Sequence, residues 1–184
     1  MGNATNKAVR RIRKVKEDKH GKIIIDWEVY VRGNWDEYHM KCSDIARPEF
    51  YQALVNLRQD VLTLLEYPDN WLDKITVRGV YYSYSDDGVE GAVITAQRDL
   101  EHSTIPENCN TPHKPYEMYN EDGEDPDGII LMPPEIIDRL DILEDEAQKY
   151  IDGDRAQGTL DFDGEDEEQH DAEGSGEDDS GMGK

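Results

Sequence analysis

Charge is segregated along this chain, and the segregation decides how much of it can fold. Residues 1–119 carry 19 acids against 16 bases and are close to neutral. Residues 120–157 hold 13 acids and 3 bases, and residues 158–184 hold 11 acids and 1 base. From Gly158 onward the composition is Asp, Glu, Gly, Ser and Gln with almost no apolar side chains. Such a stretch buries too little apolar surface to offset the entropy of ordering it. The expectation is a single domain over residues 1–155 followed by a disordered acidic tail over 156–184. The net charge of -23 and the 36% hydrophobic content therefore describe a mixture of the two.

Several classes fall away on composition. No run of about 18 apolar residues is present, so no membrane-spanning segment is expected. Met1 to Lys19 lacks the apolar core of a signal peptide, and the expected location is cytoplasmic. Two cysteines, Cys42 and Cys109, are too few for a disulfide scaffold. A bulk basic surface for nucleic acid is excluded by the net charge, but a local basic patch is not.

Periodicity organises the domain. Residues 8–18 are basic and read as a strand, although Val9, Ile12 and Val15 fit neither a strand nor a helix period. Residues 22–32 alternate cleanly, with Ile23, Ile25, Trp27, Val29 and Val31 on one face and Asp26, Glu28, Tyr30 and Arg32 on the other. Gly33-Asn34 reads as a tight connection to a returning strand carrying Tyr38, Met40 and Cys42. Pro48 then suits a first helical position, and Phe50, Leu54, Leu57, Val61 and Leu64 form one apolar stripe, with Pro68 past its end. Residues 74–85 and 89–100 make a second hairpin around Asp86-Asp87-Gly88. Its inward set is Ile75, Val77 and Tyr81 opposite Ala92, Ile94 and Ala96. Residues 101–132 lack periodicity and read as a long loop. A last helix spans Pro134 to Asp152, with Ile136, Leu140, Leu143, Ala147 and Ile151 as its stripe and Gly153 beyond it. The order βββαββα implies an α+β fold, an antiparallel sheet of two or more hairpins with helices packed on one face.

Chemistry is poorly signalled. Cys42 or Cys109 can be paired on paper with His39, His102 or His113, but no nucleophile motif surrounds either thiol. No Gly-rich phosphate loop is present, and no Asp/Glu-x-Lys follows Pro68-Asp69. The expectation is a non-enzymatic protein without a cofactor. His39-x-x-Cys42 with Cys109-x-x-x-His113 offers four zinc-compatible ligands. Strand alternation opposes it, because His39 and Cys42 point to opposite faces. Cys42 then reads as a small core hydrophobe and His39 as a surface residue, and no metal is expected. The acidic run Asn120–Asp127 does not keep EF-hand spacing and reads as a solvated charge run.

One tail segment stands out. Gln157, Leu160 and Phe162 have the spacing Gln-x-x-Leu-x-Phe, and they sit in the only part of the tail with large apolar side chains apart from Met182. This resembles the six-residue peptide by which bacterial DNA polymerases and repair proteins dock on the sliding clamp. The resemblance implies a Gln for polar contacts and two apolar anchors for a hydrophobic pocket. Gly158 departs from the pattern, where the family usually has a Leu. The alternative for the same residues is that Leu160 and Phe162 fold back onto the domain as a last strand or staple.

The domain is also similar to a group of small bacteriophage and prophage proteins. The stretches that carry the similarity are Trp35–Tyr38, Arg47–Tyr51, Ile75–Val80, Gly91–Gln97 and Asn110–Lys114. The similarity implies no activity, only a phage setting among replication and recombination genes. Three functions fit these readings. The first is a phage protein of DNA replication or recombination, docked on the host clamp through 157–162. The second is a DNA mimic that inhibits a host nuclease or defence enzyme, with Asp138, Asp141, Asp145 and Asp152 as its rigid acidic face. The third is a single-strand DNA-binding accessory protein, in which the acidic tail competes with DNA for a basic site made of Arg10, Arg11, Arg13, Lys14 and Lys16, with Tyr81, Tyr82 and Tyr84 for stacking.

Overall fold

A computed structural model describes residues 9–86, 88–117 and 130–156. Strands β1 (Arg10–Glu17), β2 (Ile23–Val31) and β3 (Asn34–Cys42) come first. Helices α1 (Pro48–Asn56) and α2 (Arg58–Leu65) and a 3₁₀ turn (Asp69–Lys74) follow. Strands β4 (Ile75–Tyr84), β5 (Glu90–Leu100), β6 (Ser103–Asn110) and β7 (Lys114–Pro115) precede helix α3 (Pro134–Ile151). All strand pairs are antiparallel, in the order β3-β2-β1-β4-β5-β6, with β7 also paired to β5. The fold is α+β, with the helices on one face of the sheet. No helix among the described residues is long and apolar enough to cross a membrane.

The first hairpin turns at Arg32-Gly33, one residue earlier than the expected Gly33-Asn34. Val31 pairs with Asn34, so only two residues connect the strands, and their φ angles are 51° and 89°. That is the conformation a two-residue turn must adopt to match strand twist, and glycine takes its second position without strain.

Two bulges set the core. β1 shifts register between Ile12 and Lys14, so Arg13 is an extra residue. The extra residue lets Ile12 and Val15 both face inward despite their spacing of three, and both are fully buried. β4 shifts between Val77 and Gly79, with Arg78 as the extra residue. Beyond it Val80 and Tyr82 are buried, and Tyr81, expected inside, faces the other way and is 42% exposed. Gly79 lies opposite Lys16 in the β1–β4 pair. A Cβ there would stand 2.8 Å from Lys16 Cα and closer still to the Val15 carbonyl oxygen.

The stripe from Phe50 to Leu64 is divided between two helices. Leu57 (φ −79°, ψ −5°) ends α1 and starts α2, while the Val61 N–H still donates to the Leu57 carbonyl. Phe50, Leu54, Leu57 and Val61 are buried as the spacing implies. In α3 the buried stripe runs through Ile136, Leu140, Leu143 and Ala147 and closes on Tyr150, leaving Ile151 half-buried. Tyr82 donates its hydroxyl to the Leu140 carbonyl at 3.0 Å, and Tyr150 donates to the Asp44 carbonyl at 2.7 Å.

The expected loop over 101–132 is corrected in part. Ser103–Asn110 forms β6 on the sheet edge, paired to β5 from Leu100↔Ser103 to Thr95↔Asn110. Only Cys109 of this strand is buried, so it carries no alternation, and Pro106 is tolerated because an edge strand leaves half its N–H groups unpaired. Residues 118–129 lie outside the described residues.

The tight β1–β4 contact gives a direct test. Gly79→Ala forces backbone against backbone and should destabilise the domain by at least about 2 kcal/mol, roughly 6–10 °C in melting temperature. Unchanged melting would show that β1 and β4 are not in this register.

Candidate functional site

Among the described residues the helices cover one face of the sheet and no element covers the other. On the bare face the β1–β2–β3 half is largely neutralised by pairing. Arg11 Nε bonds Glu28 at 2.5 Å, and Arg13 lies 3.6 Å from the same carboxylate, which explains why Glu28 is buried at 7% exposure. Lys14 and His39 both pair with Asp26, at 3.5 and 2.5 Å. The Arg11 guanidinium also stacks 3.8 Å from the Trp35 ring centroid.

The other end of the face is different. Where β1 ends, β3 ends and β4–β6 run past, a hollow of about 590 Å³ opens. Its cationic lining is Lys16, Lys19, Lys41 and Arg78, with His20 beside them. Tyr81, Thr95, Gln97, Asn108 and Asn110 complete it with one aromatic ring and several polar groups. Arg78 Nε donates to Gln97 Oε1 at 2.9 Å, and Gln97 in turn donates to Asn108 at 3.1 Å. Two acids border the hollow, Glu17 and Asp18. Asp18 is engaged: bonds from Lys41 Nζ and from the Lys22 and His20 N–H groups hold its carboxyl well below the usual carboxylate range. Among the described residues, Lys16, Lys19 and Arg78 make no ion pair. The Lys14 ammonium sits 5.4 Å from the Tyr81 ring centroid. The arrangement offers point charges for phosphate oxygens, amides that can donate and accept, and a ring face at which a base can stack.

The expected nucleic-acid residues divide sharply. Lys16 lines the hollow and Tyr81 is open to it. Tyr82 is core, and Tyr84 donates its hydroxyl to the Ile12 carbonyl. Arg10 leaves the face and bonds Asp152 at 2.8 Å and Gln148 at 3.0 Å on α3. Arg11, Arg13 and Lys14 are the paired residues described above. Sequence reading missed Lys19, His20, Lys41 and Arg78, because only strand register brings them together.

The four zinc-compatible residues do not converge. His39 is on the bare face, and Cys42 packs towards the core from β3. Cys109 is buried on β6. With β3 and β6 at opposite edges, five strand spacings or about 24 Å separate them. His113 lies instead over Gly91, its Nε2 2.6 Å from Ser83 Oγ. Among the described residues no carboxylate bonds its other ring nitrogen.

The acidic face of α3 is present: Asp138, Asp141, Asp145 and Asp152 are all exposed. Where α3 meets β5, burial pushes the Glu90 carboxyl up to about 7, reinforced by Glu144 and Asp141. Burial raises Glu144 as well. Gln157, Leu160 and Phe162 lie outside the described residues. The last described residue, Ala156, donates its N–H to the Ile45 carbonyl at 3.0 Å, and Arg155 pairs with Asp44 at 3.5 Å.

No family model matches this chain, and no curated protein and no solved structure is significantly similar to it.

Glu90 gives a pH-dependent prediction. A carboxyl whose folded pKa is raised contributes stability that is present below pH about 4.5 and lost as the pH rises through about 7. Glu90 is half-exposed, so screening leaves about 1–2 kcal/mol of this. Glu90→Gln should therefore raise the melting temperature at pH 8 and leave it unchanged at pH 4. Equal offsets at the two pH values would refute the assignment.

Proposed function

We propose that the folded part of this chain binds single-stranded nucleic acid on the bare face of its sheet, as a non-enzymatic accessory protein of DNA replication or recombination. One observation carries the reading: in a chain of net charge -23, Lys16, Lys19, Lys41 and Arg78 gather around one exposed tyrosine in one hollow. A stacking ring requires an unstacked base, which favours a single strand over a duplex. Among the described residues this face also has no projecting helix to enter a major groove.

A second reading concerns the tail, and the two are compatible. The sliding-clamp spacing at Gln157, Leu160 and Phe162 starts one residue after Ala156, the last described residue, whose N–H bonds the Ile45 carbonyl. A protein that holds single strand and clamp together suits the phage replication setting that the sequence resemblance implies.

Fluorescence anisotropy with a labelled oligothymidylate tests the first reading. Affinity should fall with salt with a log–log slope of about −2, for roughly three phosphate contacts at about 0.7 each. Tyr81→Ala should weaken binding at least about five-fold, since stacking contributes about 1–3 kcal/mol per base. Lys16→Ala with Arg78→Ala should weaken it further and flatten the salt slope. Variants that bind like the wild type would overturn the site. For the tail, Leu160→Ala with Phe162→Ala should abolish binding to purified bacterial clamp and leave melting unchanged. Early melting of that variant would favour the folded-back alternative.

A further inference from the structure

We infer that this chain pairs with a second copy of itself along the outer edge of β3, antiparallel and centred on Tyr38, so that one sheet runs through two molecules. The inference does not depend on the nucleic-acid reading.

Backbone direction is the first support. Val31 and Asn34 close the two-residue turn between β2 and β3, and on the other side of β2 the Tyr30 N–H donates to the Val9 carbonyl at 2.9 Å. The β2–β3 pairing runs without a register shift from the turn to Ile23↔Cys42. Alternation therefore turns the N–H and C=O groups of Trp35, Glu37, His39 and Lys41 away from β2 and towards the outer edge. Among the described residues nothing pairs with them there, and Asp36, Glu37, Tyr38 and His39 are all exposed. The opposite edge of the sheet is blunted. β6 carries Pro106 and pairs with β5 through an irregularity between Arg98 and Leu100, whereas β3 has neither a proline nor a bulge.

Charge complementarity is the second support, and it names the occupant. A two-fold axis perpendicular to the sheet reverses the strand and keeps its faces, so the same patch meets itself. Centring that axis on Tyr38 overlaps all 9 residues of β3. Glu37 of each copy then stands opposite the second copy's His39, Trp35 opposite Lys41, and Asp36 opposite Met40. Centring on Asp36 or Glu37 would set that acid against itself, and centring on His39 would set two imidazoles together and shorten the overlap. Like charges directly opposite destabilise a sheet, and unlike charges support it. Glu37 lacks such support within one chain: it lies directly across from Glu28, and among the described residues it makes no ion pair. Lys41 against Trp35 sets a cation against a ring.

The helix side of the same strand adds apolar contact. Tyr38 is 45% exposed and stacks on Trp27 with ring centroids 5.5 Å apart. In this register Tyr38 and its symmetry mate form a non-hydrogen-bonded pair, whose Cα atoms approach to about 4.5 Å. The Trp27–Tyr38 stack then continues into the second copy as one aromatic row. An interface of two strands is at the small end of the range for specific contacts, which implies a reversible dimer with Kd on the order of tens of micromolar.

Sedimentation equilibrium on the full chain tests this. The wild-type mass should rise from 21.1 kDa towards twice that value as concentration increases. Glu37→Lys and His39→Glu should each weaken association by about ten-fold, since symmetry counts every pair twice. An equimolar mixture of the two variants should associate like wild type, because each introduced charge then faces its opposite. Glu37→Lys also removes the like-charge contact with Glu28, so its melting temperature should not fall, which separates lost association from lost folding. Tyr38→Cys in a Cys42→Ala background should link two copies by a disulfide on mild oxidation, and Asp36→Cys in that background should not, because the register sets Asp36 against Met40. Wild type that stays at 21.1 kDa up to about ten times the expected Kd overturns the inference. So does a dimer indifferent to Glu37→Lys, which would use another surface. A mixture of the two charge variants that stays monomeric overturns the Tyr38-centred pairing.

Discussion

The two halves of this sheet meet along three residue pairs. Lys14↔Tyr81, Val15↔Val80 and Lys16↔Gly79 are the paired ladder between β1 and β4, and among the described residues no other strand pair joins β3-β2-β1 to β4-β5-β6. A seam this short must be close-packed to hold. Gly79 allows it, because a missing side chain lets the β4 backbone lie against Val15 and Lys16. The bulges on either side, at Arg13 and Arg78, increase local twist and turn the inward set so that Val15 and Val80 both enter the core. The same seam brings Lys16, Arg78 and Tyr81 into one hollow. Packing and candidate function therefore share a single geometric cause.

The helix layer braces the seam from behind. Arg139 from α3 grips Asp60 of α2 with two bonds of 2.7 and 2.5 Å, and Asp60 is only 2% exposed. Arg47 holds Glu146 of α3 differently, with one nitrogen, Nη2, shared between both carboxylate oxygens at 3.0 Å. Burying a carboxylate costs free energy, and such pairing offsets it while fixing how the helices sit on one another. Arg10 continues the bracing from β1 to Asp152 at the end of α3. These three pairs use their cations on the helix side or its edge. The cations without a carboxylate partner among the described residues include Lys16, Lys19 and Arg78, in the hollow.

How much of this was legible in the sequence follows from where the constraints act. The alternation of residues 22–32 and the stripes of 50–64 and 136–147 are local, and each appears as a strand or helices; the stripes bury most of their apolar residues, while in β2 Ile23 and Ile25 are buried, Trp27 and Val29 half-buried and Val31 exposed. A bulge leaves no local mark. One extra residue at Arg78 exchanged Tyr81 for Tyr82 in the core, and it made the tyrosine read as packing the one available for stacking. β6 was missed because a strand exposed on both faces has no hydrophobic period to read. The hollow was illegible for a different reason. It assembles the ends of β1 and β3 with the middle of β4 and β5, segments far apart in the chain, and nothing short of the strand order brings them together. The tail peptide is the reverse case, since Gln157, Leu160 and Phe162 stand out only in the sequence.

The acidity of the chain is no veto on an anionic ligand, once position is considered. At physiological ionic strength, charges separated by more than about 8 Å of solvent are largely screened from one another. The outer carboxylates of α3 lie across a sheet and a helix layer from the hollow, and packed layers are about 10 Å apart. A phosphate entering the hollow therefore meets Lys16, Lys19, Lys41 and Arg78 far more strongly than it meets the chain's net charge of -23. The exceptions are acids close enough to matter. Glu17 and Asp18 are fixed at the rim, and Asp18 is already bound by Lys41 and two N–H groups. Net charge thus bears on binding less than the placement of individual charges does: four cations line the hollow, and the exposed carboxylates of α3 stand behind the sheet.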